Sequence, residues 1–264
     1  MRFMDRELAR RLERAEGGIG TSFIAVQQQL TPELGATWHD FAGTYAIFVG
    51  AESPMTQTFG LGLFGDVTAD SLAELESFFT SRGAPVMHEV SPLAGLGPIA
   101  LLVERGYRPI ELSSVLVQEL ADRELPASAL RVRVVEAADR AAFVEASVAG
   151  WTQEPAYGAV IRSLAETASQ NPAMVHFVVE RDGEPIGTGS LGIHDRVALF
   201  AGASTIPSAR GLGAQSLLLA ARFAEARRRG CELALMVTEP GSTSQRNAER
   251  NGFRVAYTRT KWRL

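Results

Sequence analysis

Apolar and polar residues alternate with a period of two in "LRVRVVEA" (Leu130 to Ala137), the pattern of a half-buried strand. The next stretch, "ADRAAFVEASVAGW", has helical spacing, and "AMVHFVVERDGEPIGTGSLGIHDRVALFAGASTIP" (Ala173 to Pro207) then reads as three strands. Asp182-Gly183 joins the first two as a hairpin turn, because glycine supplies the positive φ that a tight turn requires. His194, in "GIHDR", reads as a turn residue. From Gly213 the period changes: Leu217, Ala220, Ala221 and Ala224 follow i, i+3, i+4, i+7, which predicts a helix with Arg222, Glu225 and Arg229 mostly off its buried face. Arg227, Arg228 and Arg229 fall in its last turn, and Gly230 can take the left-handed closing position.

The same succession occurs twice. Ser216 to Tyr257, "SLLLAARFAEARRRGCELALMVTEPGSTSQRNAERNGFRVAY", is echoed by Ser71 to Leu112, "SLAELESFFTSRGAPVMHEVSPLAGLGPIALLVERGYRPIEL". Each runs helix, Arg and Gly, apolar strand, Pro-containing loop, short helix ending in Gly and an aromatic, then strand, which indicates an internal duplication. "ADRELPASAL" (Ala121 to Leu130) is polar, contains Pro126 and separates two apolar segments, so the halves are expected to be 1–125 and 126–264.

Composition narrows the function more than the fold. With 264 residues, 46% hydrophobic and 21% charged, the chain can bury one large core or two ordinary ones. A formal net charge of -4 gives no general attraction to nucleic acid. The opening "MRFMDRELARRLERAEGG" is charged and amphipathic, and no stretch reaches membrane-spanning length, so a cytoplasmic protein without a membrane partner is expected. One cysteine, Cys231, cannot form an internal disulfide and reads as packing; four scattered histidines make no metal cluster.

The strand ending at Pro207 meets the long helix through "ARGLGAQ", and a helix that begins there points its unpaired N–H groups beyond the strand end. Gly211 and Gly213 allow close backbone approach and Arg210 adds a fixed cation, so the turn suits a phosphate or pyrophosphate. It is not a GxxxxGK[ST] loop. A rival GxGxxG stands at Gly60, Gly62 and Gly65, with Glu89 where a ribose-binding acid would be sought. There "DVTAD" follows the third glycine and Thr68 or Asp70 looks like the helix cap, so a pyrophosphate would lose the helix N-terminus.

On these residues the second half resembles the GNAT acyltransferase superfamily. "RGLGAQ" (Arg210 to Gln215) is similar to that family's [QR]xxGx[GA] loop, with Gln215 where Gly or Ala is usual. Pro207 matches the proline that closes the preceding strand, and "STSQRNAERNGF" matches the short helix ending in Gly-Phe. The implied fold is α+β (mixed α/β): two tandem acyl-CoA N-acyltransferase-type domains, each a mixed central sheet flanked by helices. The first copy has "GDVTADS" at the equivalent place, and Asp66 and Asp70 would repel a pyrophosphate, so it is expected to be degenerate. Its His88 and Glu89 could face one wall of an acceptor site.

The resemblance implies acetyl-CoA as co-substrate, in a cleft where the strand before the loop and the strand after the long helix splay apart. Splaying leaves ladder groups of Ala203, Ser204 and Thr205 open to the pantetheine amides. The pyrophosphate would meet Arg210, Gly211, Leu212, Gly213, Ala214, Gln215 and Ser216, with Ser244 and Asn247 as further cofactor contacts. The implied reaction is direct attack by an amine of a small molecule or peptide on the thioester. It calls for a base, and often an acid for the departing thiolate. Ala248 stands where the family's tyrosine acid is usual; Tyr257 is the candidate replacement, Glu154 the candidate base, and Trp151 and Tyr157 candidates for the acceptor pocket. Without turnover, the same residues would describe an acyl-CoA-binding sensor or scaffold.

Overall fold

The computed structural model describes residues 4–121, 128–151 and 158–264. They form two compact units, Met1–Val117 with Leu235–Leu264, and Gln118–Ala234. The final segment, Leu235–Leu264, thus lies in the same compact unit as Met1–Val117. The final segment goes with the first half because the last strand is hydrogen-bonded there, as the pairing below shows.

The first unit contains α1 (Arg6–Leu30), β1 (Thr37–Phe41), β2 (Thr44–Phe48), β3 (Gln57–Phe59), α2 (Ala69–Thr80), β4 (Met87–Val90), α3 (Leu96–Glu104) and most of β5 (Arg108–Glu119). After the second unit it resumes with the end of β10 (Leu233–Thr238), α7 (Thr243–Arg250) and β11 (Arg254–Arg263). Its strand order is β1-β2-β3-β4-β11-β5-β10. β11 runs antiparallel to both neighbours, pairing Trp262 with His88 on β4 and Thr258 with Ser114 on β5. Leu72, Leu75 and Phe79 of α2 pack with Leu102 and Trp262 in an apolar cluster of this unit, a burial that stabilises the mixed sheet.

The second unit holds β6 (Arg131–Val134), α4 (Arg140–Ala149), α5 (Gly158–Gln170), β7 (Met174–Arg181), β8 (Glu184–His194), β9 (Val197–Thr205) and α6 (Ala214–Arg228). β6, β7, β8 and β9 form an antiparallel meander. Asp182 and Gly183 both have positive φ (55° and 87°), which gives the primed turn expected between β7 and β8. Asp195 and Arg196 (46° and 61°) make a second such turn, so His194 is the last residue of β8, paired with Val197, and not a turn residue. Successive β8 residues face opposite sides: Thr188 meets Ser147 of α4, whereas Gly189 lies under Arg222 of α6.

Of the expected face of α6, Leu217 and Ala220 are buried, Ala221 is half-buried and Ala224 is exposed, and burial extends around the helix to Leu218, Leu219, Arg222, Phe223 and Ala226. Arg222 fits inside because a Cβ on Gly189 would come 3.3 Å from its Cζ; the missing side chain leaves the room that the guanidinium fills, 5.0 Å from the Phe200 ring centre. Cys231 is buried and free, as its reading as packing requires. Among the described residues no helix is long and apolar enough to cross a membrane.

Candidate active site

β9 ends at Thr205, and Pro207 opens a single 3-10 turn, Pro207–Ala209, where its fixed φ is already suitable. Arg210 is extended, and Gly211 and Gly213 then take φ of 82° and 86°, a region that costs any other residue strain. A Cβ at either glycine would meet nothing within 4 Å, so the backbone of the loop lies open. Gly213 is the N-cap of α6 and provides no side-chain cap, and the first turn carries no acidic residue. The first amides of a 15-residue helix are thus without a side-chain acceptor of the cap and lie at its electropositive end. Leu212 and Ser216 are exposed on this loop and Ala214 is buried beneath it.

The side chains around the loop tie it to β9 and α4. Gln215 Nε2 donates to the Ser204 carbonyl (3.1 Å) and to Thr205 Oγ1 (2.7 Å). Arg210 donates through Nε to the Thr205 carbonyl (3.4 Å) and through Nη2 to the Gly150 carbonyl at the end of α4 (3.2 Å). The Ser204 and Thr205 carbonyls, expected to be open, are therefore already engaged by loop side chains. Ala203 lies at a register shift, where Gly202 and Ala203 stand opposite Gly189 alone, a β-bulge after which Ser204 and Thr205 pair again with Thr188 and Gly187 of β8.

Under the strand end runs a buried chain of hydroxyls. Ser147 donates to the Phe143 carbonyl (2.8 Å) and lies 3.1 Å from Thr188, which is 3.0 Å from Ser204. Gly150 seats α4 flush on this chain, because a Cβ there would collide with the Ser204 side chain. None of these three hydroxyls was singled out as a group from the sequence, where Ser and Thr at separations of 41 and 16 residues carry no local signal.

The remaining candidates are distributed unevenly. Trp151 is exposed, directly after α4. Glu154 and Tyr157 lie outside the described residues. Ser244, exposed, and Asn247, half-buried, are on α7 in the first unit, with Ala248 buried beside them. Tyr257 is buried in the first unit and donates to Glu13 Oε1 at 2.8 Å. Burial first, and then the Glu13 charge, push its phenol pKa well above the ordinary value, so it is a structural donor and not the acid of an acyl transfer. His88 and Glu89 are also buried in the first unit: His88 bridges Thr58 (2.8 Å) and Tyr107 (3.1 Å), and Glu89 pairs with Arg259 (2.9 Å), so neither faces an acceptor wall. Gly60 and Gly62 do adopt positive φ, but α2 begins only at Ala69 with Thr68 as its cap, which removes the dinucleotide reading.

Residues 136–253 match the Acetyltransferase (GNAT) family model. A GCN5-related N-acetyltransferase from Kribbella flavida superposes with a TM-score of 0.64 at 19% identity, covering 92% of this chain and 95% of its own. A GCN5-related N-acetyltransferase from Sphaerobacter thermophilus gives 0.60 at 17% identity over 87% and 75%. A tandem GNAT protein from the clavulanic acid biosynthesis pathway gives 0.59 at 14% identity over 84% and 78%. These likenesses establish the fold. No curated protein matched the sequence.

Proposed function

We propose, from the premise that residues 136–253 are an acetyltransferase domain of the GNAT family, that this chain moves an acetyl group from acetyl-CoA to an amine of a small molecule or peptide. The observation that carries the reading is the open N-terminus of α6. Gly213 leaves its amides without a side-chain cap, and no Cβ obstructs the approach at Gly211 or Gly213. A diphosphate satisfies such amides and the positive helix end together, and the open backbone at Gly211 and Gly213 supports that group as the guest. When bound, acetyl-CoA supplies the activated acyl group.

The chain's own residues then hold and exclude. Arg210 adds a positive charge to the anion site while its present bonds keep the loop against α4. Gln215 takes the position of the family's small residue and braces the end of β9, which keeps the strand and the helix start in fixed register. Ser244 and Asn247 remain the further cofactor contacts. Among the candidates for proton transfer, Glu154 is the base that this reading retains, with Trp151 and Tyr157 shaping the acceptor side. With Tyr257 engaged by Glu13, solvent or the acceptor's own proton neutralises the leaving thiolate.

Calorimetric titration with acetyl-CoA tests the reading. One equivalent should bind, and Gly213→Asp should weaken binding at least about 30-fold, since it adds a negative charge at the helix start and strain at a left-handed position. An unchanged affinity in the variant would remove the loop assignment. Acceptor-dependent cleavage of the thioester, followed across a panel of amines, then separates an enzyme from a carrier of acyl-CoA.

A further inference from the structure

Of the 26 Lys and Arg residues in the sequence, only Lys261 is a lysine. The others carry guanidinium groups, which stay protonated and do not take up an acyl group at neutral pH. Lys261 is therefore the one side-chain amine that an acyl donor can modify, which matters on the reading that this chain holds acyl-CoA.

The sheet of the first unit closes that amine from both sides. Lys261, on β11, stands directly opposite Glu89 of β4 and Glu111 of β5. Its Nζ lies 3.5 Å from Glu89 Oε1 and 3.0 Å from Glu111 Oε2. Arg259, two positions earlier on the same face of the strand, takes the other Glu89 oxygen at 2.9 Å and reaches Glu13 and Glu16 of α1. Lys261 ends the buried part of this row of charges: its side chain is 11% exposed and that of Glu89 2%, whereas that of Glu111 is 51% exposed.

The closure is weakest on the β5 side. Lys261 pairs with Glu111 and Trp262 with Pro109, so Ile110 is an extra residue in the ladder, and Pro109 has no N–H to give it. Arg108 to Leu112 are exposed without interruption, while the last three residues of β4, Glu89 among them, are buried. Local opening of a strand end needs far less free energy than global unfolding, so the Arg108–Leu112 end of β5 is the part that lifts first.

We propose that Lys261 is a latent acylation site, closed by Glu89 and Glu111 in the paired sheet and modified by activated acyl donors when the Arg108–Leu112 end of β5 lifts from β11. In that step Nζ gives one proton to water and its lone pair bonds to the acyl carbon. The donor's C–S or C–O bond breaks with the electron pair leaving on sulfur or oxygen, and a second proton passes from nitrogen to water. The amide product is neutral, so Glu111 loses its cation and Glu89 keeps Arg259 alone. The row of alternating charge does not re-form in the modified chain.

The test is labelling with N-hydroxysuccinimidyl acetate at mildly alkaline pH, read by mass spectrometry as the acetylated fraction of the peptide that holds Lys261. The folded chain should react at least about 30-fold more slowly than the chain unfolded in urea, and its rate should stay flat below the unfolding transition, because a lifted strand end exposes little surface. Glu111→Gln, at a half-exposed position, should raise the folded rate at least about threefold and leave the thermal midpoint nearly unchanged. Equal rates in the folded and unfolded chain, a rate that climbs with urea from the start, or a Glu111→Gln variant that reacts no faster would each overturn the proposal. The reagent needs no binding site, so this result and the acetyl-CoA titration stand or fall separately.

Discussion

The helices α2 and α6 occupy the same place in the repeated order, yet they treat their first amides in opposite ways. Thr68 caps α2 by accepting from the Ser71 amide (3.2 Å), and Ser71 accepts in return from the Thr68 amide (3.0 Å). Asp70 adds a negative charge in the first turn. α6 starts at a left-handed glycine with no cap and no acid. An anion site requires amides that the protein does not satisfy by itself, a condition that the start of α6 meets and the start of α2 does not.

The buried arginines repeat the contrast. Arg259 of the first unit is 1% exposed and contacts Glu16 (2.7 Å), Glu89 (2.9 Å) and Glu13 (3.1 Å). Arg222 of the second is equally buried, but only its Nε has an acceptor, the Leu218 carbonyl at 3.2 Å. Its Nη1 and Nη2 have no hydrogen-bond partner among the described residues, and burial brings its pKa down to about 9. Removing each charge separates the two settings. Arg259→Met leaves a cluster of carboxylates uncompensated and should cost about 3–5 kcal/mol, whereas Arg222→Met removes an unpaired charge and should be neutral or stabilising by about 1 kcal/mol. Urea unfolding measures both, and equal losses would dissolve the comparison.

Acid should act on both units alike. Burial holds His88 at about 3 and His176 at about 4, below the ordinary imidazole value of 6.5 that an unfolded chain restores. Between those values the unfolded state binds more protons, so stability is complete above about pH 6.5 and falls as pH drops toward 4 and then 3. Each histidine then contributes a slope of up to about 1.4 kcal/mol per pH unit. Thermal midpoints from pH 8 to 5 should decline below pH 6.5, and His88→Gln should flatten the decline by about half. A flat profile in the unmodified protein would mean that these imidazoles are not held neutral.

What could be read in the sequence follows the range of the forces involved. The hairpin at Asp182-Gly183, the glycines of the loop and Thr68 as a cap are local, since each is decided within four residues by φ or a single hydrogen bond. The burial of Arg222 was not legible because "SLLLAARFAEA" is nearly apolar all round and the room for that side chain is made by Gly189, far away in sequence. Tyr257 looked free to act as an acid because its partner, Glu13, lies 244 residues earlier. Of the candidate site, the glycine turn ahead of α6 was legible, while the bonds of Arg210 and Gln215 that brace it depend on β9 and on the end of α4.

The smallest effect examines the first contrast most directly. Thr68→Ala should cost about 1 kcal/mol, because the Ser71 amide loses its acceptor while the rest of α2 stays packed through Leu72, Leu75 and Phe79. It opens the helix start, yet Asp66 and Asp70 still surround the place and no glycine stands at the cap. The number of acetyl-CoA equivalents bound should therefore stay at one. A second equivalent appearing in this variant would mean that the cap alone had closed the first unit's site. If the count is unchanged with a lower unfolding midpoint, the acidic residues are the deeper reason that α2 holds no anion.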